Sequence, residues 1–107
     1  MKLENLGRLV ATKAVAELEE SNKQFAIFLQ LCLDKYLNND WGVLAEEDKE
    51  MNDEAAKSGN ERILAAYHFP DDASWNAVNS WGSEENKIWI ITEWDHSVTT
   101  VLFPSEY

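Results

Sequence analysis

The chain is short of the residues that cross-link, divide or anchor small proteins. It has a single cysteine, Cys32, so no internal disulfide can staple the fold. Cys32 lies inside an apolar run and reads as a reduced core thiol, which fits the cytosol. Only four glycines and two prolines are present, and they form no linker that would split 107 residues. One domain covering 1–107 is expected. No apolar run nears the roughly 20 residues of a membrane span, and the opening MKLENLGRLVATK has no leader-like stretch. The protein is therefore expected in the cytoplasm and away from membranes.

Basic residues are also scarce. Nine Lys and Arg stand against twenty Asp and Glu, for a net charge of −11. The averaged field repels phosphates, which argues against direct binding to nucleic acid or anionic lipid and favours a basic partner. No phosphate loop, nucleophile motif or metal-spaced ligand set is present, so no enzyme activity, no metal and no cofactor are expected. The hydrophobic share of 45% is ample for a core.

What is present is organised around residues 87–107. Ile88, Trp89, Ile90, Ile91, Val98, Val101, Leu102 and Phe103 flank a polar knot at Asp95, His96 and Ser97. That pattern predicts a β-hairpin with little solvent on either face. Residues 61–69 read as a third strand closed by Pro70, and Arg8–Ala11 as a short fourth one at an edge. Thr12 is placed to cap a helix over 13–20, and Ser21 or Asn22 to cap another over Lys23–Leu37. In the latter, Phe25, Phe28, Leu29, Cys32, Leu33 and Tyr36 recur at spacings of three and four, with Ile27, Leu31 and Leu37 widening the stripe. A helix apolar over so much of its girth predicts cover on more than one side. The expected fold is α+β, a small antiparallel sheet of three to four strands packed by about three helices from the N-terminal half.

The third helix belongs to residues 40–57, where seven acidic residues against two lysines leave −5. Leu44, Met51 and Ala55 are the predicted buried stripe, and Glu46, Glu47, Glu50, Asp53 and Glu54 project outward. Ser58, Gly59 and Asn60 supply the stop. Three readings of the acidic segment stay open. Asp40, Asp48 and Asp53 are hard-oxygen metal ligands in type, but not in the spacing of a calcium loop. A solvated helix face needs no function at all. The third reading is mimicry: duplex DNA carries one charge per about 1.7 Å, and carboxylates a helical turn apart, about 5–6 Å, form a sparser row.

His96 beside Asp95 suggests a proton-transfer pair, yet strand neighbours point to opposite faces, so a polar hairpin tip is the simpler reading. A small hydrolase using Asp40, Asp48 and His96 would need those side chains to converge. His68, between Tyr67 and Phe69, reads as a packed strand residue. Trp41, Trp89 and Trp94 read as structural. Trp75 and Trp81 lie on a short helical stretch with Val78, ended by Gly82, and are candidates for partner contact.

Three segments together carry a resemblance: DWG at 40–42, EEDKEMND at 46–53, and WIITEWDHSVTTVLFPSEY at 89–107. They resemble a family of small bacterial proteins labelled plasmid-related, carried on plasmids and integrative elements, over most of the chain beyond Gly7. Such relatives usually have histidine where Tyr36 stands and arginine where His96 stands. They also join the strand near Phe69 to the hairpin by a shorter loop, which makes 71–85 an addition here. The resemblance implies a mobile element in a bacterial cytoplasm and no particular activity. In size and charge such proteins are similar to anti-CRISPR and antirestriction inhibitors. The expectation is a non-enzymatic inhibitor that occupies the basic groove of a nucleic-acid-binding defence complex through Glu46, Glu47, Glu50, Asp53 and Glu54, anchored by Trp75 and Trp81. The alternative is an accessory module of the element that acts through homodimerisation or protein binding.

Overall fold

The computed structural model describes residues 7–59, 61–77 and 86–107. Its elements run β1 (Arg8–Ala11), α1 (Lys13–Ser21), α2 (Lys23–Leu37), α3 (Glu46–Ser58), β2 (Ile63–His68), a 3₁₀ turn (Ser74–Ala77), β3 (Lys87–Thr92), β4 (Val98–Leu102) and a 3₁₀ turn (Pro104–Glu106). The strands form one sheet in the order β1-β4-β3-β2. β3 pairs antiparallel with both β2 and β4, as the hairpin pattern requires. β1 lies at the edge but runs parallel to β4, so the sheet is mixed rather than wholly antiparallel. The α+β class stands. The parallel edge arises because Arg8 donates to the Ser97 carbonyl and Thr12 to the Val101 carbonyl, which threads β1 alongside β4.

Register explains why the hairpin needs apolar residues in succession. Ile63, Thr92 and Thr99 form one row across the sheet, and Ala65, Ile90 and Val101 the next. These side chains are all buried, and Tyr67, Ile88 and Phe103 extend the same layer under the helices. The opposite face is partly covered: Ala66, Ile91 and Leu102 are buried, Leu64, Trp89, Val98 and Thr100 are half-buried, and the Trp89 and Tyr107 rings cross there with centroids 5.6 Å apart. One buried face and one partly covered face leave little place for the polar alternation of a half-exposed strand.

The helices start where their caps put them. Thr12 Oγ1 accepts from Val15 N, and Asn22 Oδ1 accepts from Phe25 N at 3.0 Å, which leaves Asn22 rather than Ser21 as the second cap. From α2, Phe25, Leu29, Cys32 and Tyr36 descend into the core at intervals of three and four. Burial pushes the Cys32 thiol up to about 12, although Lys35 pulls it back somewhat. Tyr36 donates or accepts in a buried hydroxyl row, at 2.6 Å from Thr92, which lies 2.8 Å from Thr99. Cover comes from more than one side, from the sheet, α1 and Trp75, but it is incomplete: Ile27 and Leu31 are 56% and 55% exposed. The apolar girth of α2 exceeds what the sheet and α1 cover.

His68, expected to be packed, is exposed at the end of β2. Trp94 is 65% exposed and so does not tie elements together, whereas Trp41 is buried. Among the described residues no helix is long and apolar enough to cross a membrane.

Candidate functional site

The acidic helix sits on the outer edge of the sheet and is attached there by a few polar bonds. An edge strand leaves every second N–H and C=O unpaired, and on β2 those groups belong to Leu64 and Ala66. Asn52 satisfies the first pair with its amide, donating to the Leu64 carbonyl at 2.8 Å and accepting from Leu64 N at 3.3 Å. The backbone of the DWG segment satisfies the second: Ala66 N donates to the Trp41 carbonyl, and Val43 N to the Ala66 carbonyl. This is a parallel bridge between Gly42 and Ala66. Gly42 has φ +78°, and a Cβ there would lie 1.9 Å from the Ala66 oxygen, so only glycine fits. Trp41 then points its buried indole toward α3 and donates to Asp53 Oδ1 at 2.9 Å. The DWG motif is thus a clip that holds α3 against β2.

This clip corrects the predicted stripe of α3. The buried positions are Asn52 and Ala55, while Met51 is 64% exposed and Leu44 only partly covered. A hydrophobicity pattern ranks Met above Asn for burial, but the sheet edge here needs paired hydrogen bonds more than apolar area. Glu46, Glu47 and Asp48 occupy the first turn, where negative charge offsets the helix dipole, and Ala45 offers no side-chain cap. Gly59, at φ +72°, closes the last turn by donating to the Ala55 carbonyl. Asn60, the other stop residue, lies outside the described residues.

The five outward carboxylates divide into two sets. Asp53 holds Trp41, and Glu46 lies 3.8 Å from Lys49 Nζ. Glu47, Glu50 and Glu54, at helical spacings of three and four, line one shallow depression of about 420 Å³ with Met51 and with Glu61 from the loop before β2. Among the described residues no hydrogen bond or ion pair engages those four carboxylates. A second hollow of about 510 Å³ adjoins it, shares Met51 and Glu61, and adds Leu44, Asp48, Leu64, Arg62 and Tyr107. Arg62 is occupied, since its guanidinium donates to the Tyr107 hydroxyl and stacks 4.9 Å from that ring. The site is an exposed methionine between an acidic shelf and an apolar hollow.

The tryptophans do not join it. Trp75 is 2% exposed, enclosed by Phe25, Phe28 and Phe69 at centroid distances of 5.2, 5.4 and 5.5 Å. Its assignment as a partner contact is therefore corrected to a core role, because the ring cluster buries more of its surface than an exposed turn would leave. Trp81, Val78 and Gly82 lie outside the described residues.

Nor does the hairpin tip. His96 is buried with φ +55°, and its Nε2 donates to the Glu61 carbonyl at 2.9 Å. Asp95 is engaged with Ser97, whose hydroxyl and N–H both donate to its carboxylate and hold it below the usual carboxylate range. The two residues thus serve the turn and the link to Glu61 rather than each other. Asp40 accepts from Gly42 N through its side chain and from the Tyr67 hydroxyl through its carbonyl. Among the described residues no group of three or more His, Cys, Asp or Glu side chains is gathered to hold a metal.

Glu61, Leu64 and Tyr107 are site residues that sequence patterning did not single out. Tyr107 lies far along the chain from Glu61, and only the return of β4 past β3 to the turn at Pro104–Glu106 brings them together. Asn52 was legible in principle, since it falls three residues before Ala55 on the same helical face. Comparison with protein-family models, with curated proteins and with solved structures finds no match for the chain.

Proposed function

We propose that this protein is a non-enzymatic, cytoplasmic inhibitor that presents the outer face of α3 to the basic groove of a nucleic-acid-binding defence complex of its bacterial host. The observation that carries this reading is the shelf of Glu47, Glu50, Glu54 and Glu61, four carboxylates around one depression to which no cation among the described residues is paired. The three on α3 extend over seven helical steps, from Glu47 to Glu54, roughly 10 Å at 1.5 Å per step. That row is sparser than the one charge per about 1.7 Å of duplex DNA, yet it is held on a helix clipped to the sheet. Its charge competes for lysines and arginines that would otherwise meet phosphate. The resemblance to plasmid-related proteins supports the setting, and the net charge of −11 supports attraction to a cationic cleft.

The test is displacement of labelled DNA or guide RNA from CRISPR effectors and restriction enzymes by the purified chain. The Glu47→Gln, Glu50→Gln, Glu54→Gln variant is expected to lose displacement while keeping its fold. Equal displacement by both would remove the mimicry reading.

A second reading, an accessory module that acts through its own copy, is favoured by one observation, the exposure of Ile27 and Leu31 on α2 beside a hollow of about 270 Å³. Sedimentation equilibrium distinguishes it. A dimer that Leu31→Lys dissociates supports it, and a monomer at all concentrations sinks it.

A further inference from the structure

The face of α3 contains a feature that phosphate mimicry does not use. Met51 stands 64% exposed among the carboxylates, and it also lines the adjoining hollow, whose apolar lining is Leu44, Leu64 and the Tyr107 ring beside Asn52, Asp48, Glu61 and Arg62. A row of phosphates has no apolar counterpart, and burying a thioether against lysine head groups alone gains nothing. Methionine is flexible and polarizable, a side chain suited to adapting around an apolar group that enters from outside. The charges around it are mostly negative: Glu47, Glu50 and Glu54 line the shelf, Asp48 lines the hollow and Glu61 lines both, against one cation of the hollow, Arg62, which donates to Tyr107.

We propose that the groove between α3, β2 and Tyr107 binds a polypeptide segment in which a large apolar residue is flanked by lysines and arginines. The apolar residue enters the hollow over Leu44, Leu64 and Tyr107 and is covered by Met51. The flanking cations reach the carboxylates on either side of that methionine. Charge complementarity excludes the other large classes: nucleic acid and anionic membranes would meet five carboxylates, and an acidic or neutral peptide would leave them desolvated without partners. The inference rests on the same face as the inhibitor reading and names the partner chemistry there. It can hold where that reading fails, since a segment of this kind need not belong to a nucleic-acid groove.

The experiment uses the full chain and two synthetic peptides made of lysine and arginine, one with a central leucine and one with a central glycine. Binding is followed by fluorescence anisotropy at low and at high salt. The leucine peptide is expected to bind about tenfold more tightly, and this preference should survive high salt, because screening weakens the charge contribution common to both peptides. Met51→Ala should bring the leucine peptide down to the glycine peptide's affinity. Its exposure makes misfolding an inadequate explanation for such a loss. Leu31→Ala, an equally exposed apolar residue on α2, should leave the preference intact. Equal binding of the two peptides, binding of neither, or a preference that persists in Met51→Ala overturns the proposal. So does self-association that Met51→Glu abolishes, which would assign the groove to a second copy. DNA displacement is measured separately, so failure of the inhibitor reading and failure of the peptide preference are told apart.

Discussion

α2 and α3 dock on the same sheet by opposite means. α2 buries Phe25, Leu29, Cys32 and Tyr36 and is held by apolar area and ring contacts. α3 buries one alanine and one asparagine, and depends on the Asn52 amide, the Trp41–Asp53 bond and the Gly42 approach. Apolar burial is non-directional and sums with area, whereas a few hydrogen bonds fix orientation with little area. The difference shows how a helix can leave nearly all of its surface to solvent and still be placed to within a bond length. A binding face requires both properties.

Breaking the α2 side should have the largest effect. Phe25→Ala removes the centre of a cluster that includes Phe28, Phe69, Trp75 and Phe103, and is expected to cost about 3–5 kcal/mol. Urea denaturation would show this as a lower midpoint at similar slope.

Alkaline pH should weaken the same side. The Cys32 thiol rises from its ordinary 9.0 to about 12 on burial, and the Tyr36 and Tyr67 hydroxyls are also raised, chiefly by desolvation. Each is an acid kept neutral in the fold, so above its ordinary value the unfolded chain binds fewer protons than the folded one. Stability is therefore full below pH 9 and falls beyond it, at about 1.4 kcal/mol per pH unit for each group that titrates only when unfolded. Cys32→Val should flatten the first part of that decline, read from melts between pH 8 and pH 10; an unchanged slope would count against the thiol as its origin.

On the α3 side, Asn52→Ala leaves both polar groups of Leu64 without their partner. The expected loss is about 1–3 kcal/mol, and the sharper readout is local. Amide exchange at Leu64 should accelerate while the amides of α2 stay protected. If both helices lose protection together, the two docking modes are not separable.

The smallest effect should come from the shelf itself. Glu50→Gln with Glu54→Gln relieves like-charge repulsion along one face without touching the acidic first turn, so stability should rise by a few tenths of a kcal/mol. A thermal scan at low salt would detect this, and high salt should erase it. A marked loss of stability would mean that those carboxylates hold the fold.

Much of the architecture is written along the chain. The caps at Thr12 and Asn22, the period of the apolar residues in α2 and the two apolar runs around Asp95–Ser97 place most elements within a residue or two. Each depends on contacts between neighbours or on a short repeat. Misreadings arise where a position is decided by something distant. Met51 outranks Asn52 in hydrophobicity, but the unpaired edge of β2 selects the amide. Trp75 has the composition of an exposed anchor, yet Phe25 and Phe69 converge on it from separate elements. His96 reads as a polar tip and is in fact buried against the Glu61 carbonyl.

Composition and local periodicity alone determined an acidic α+β fold with a hydrophobic hairpin, because charge, capping and amphipathicity are properties of short stretches. Which carboxylates stay unpaired, which tryptophan is core, and that Met51 faces a hollow shared by Leu44, Leu64 and Tyr107 were decided by the tertiary structure. Those facts depend on the sheet order and on an edge strand that must satisfy its outward hydrogen bonds, and neither is encoded within any single segment.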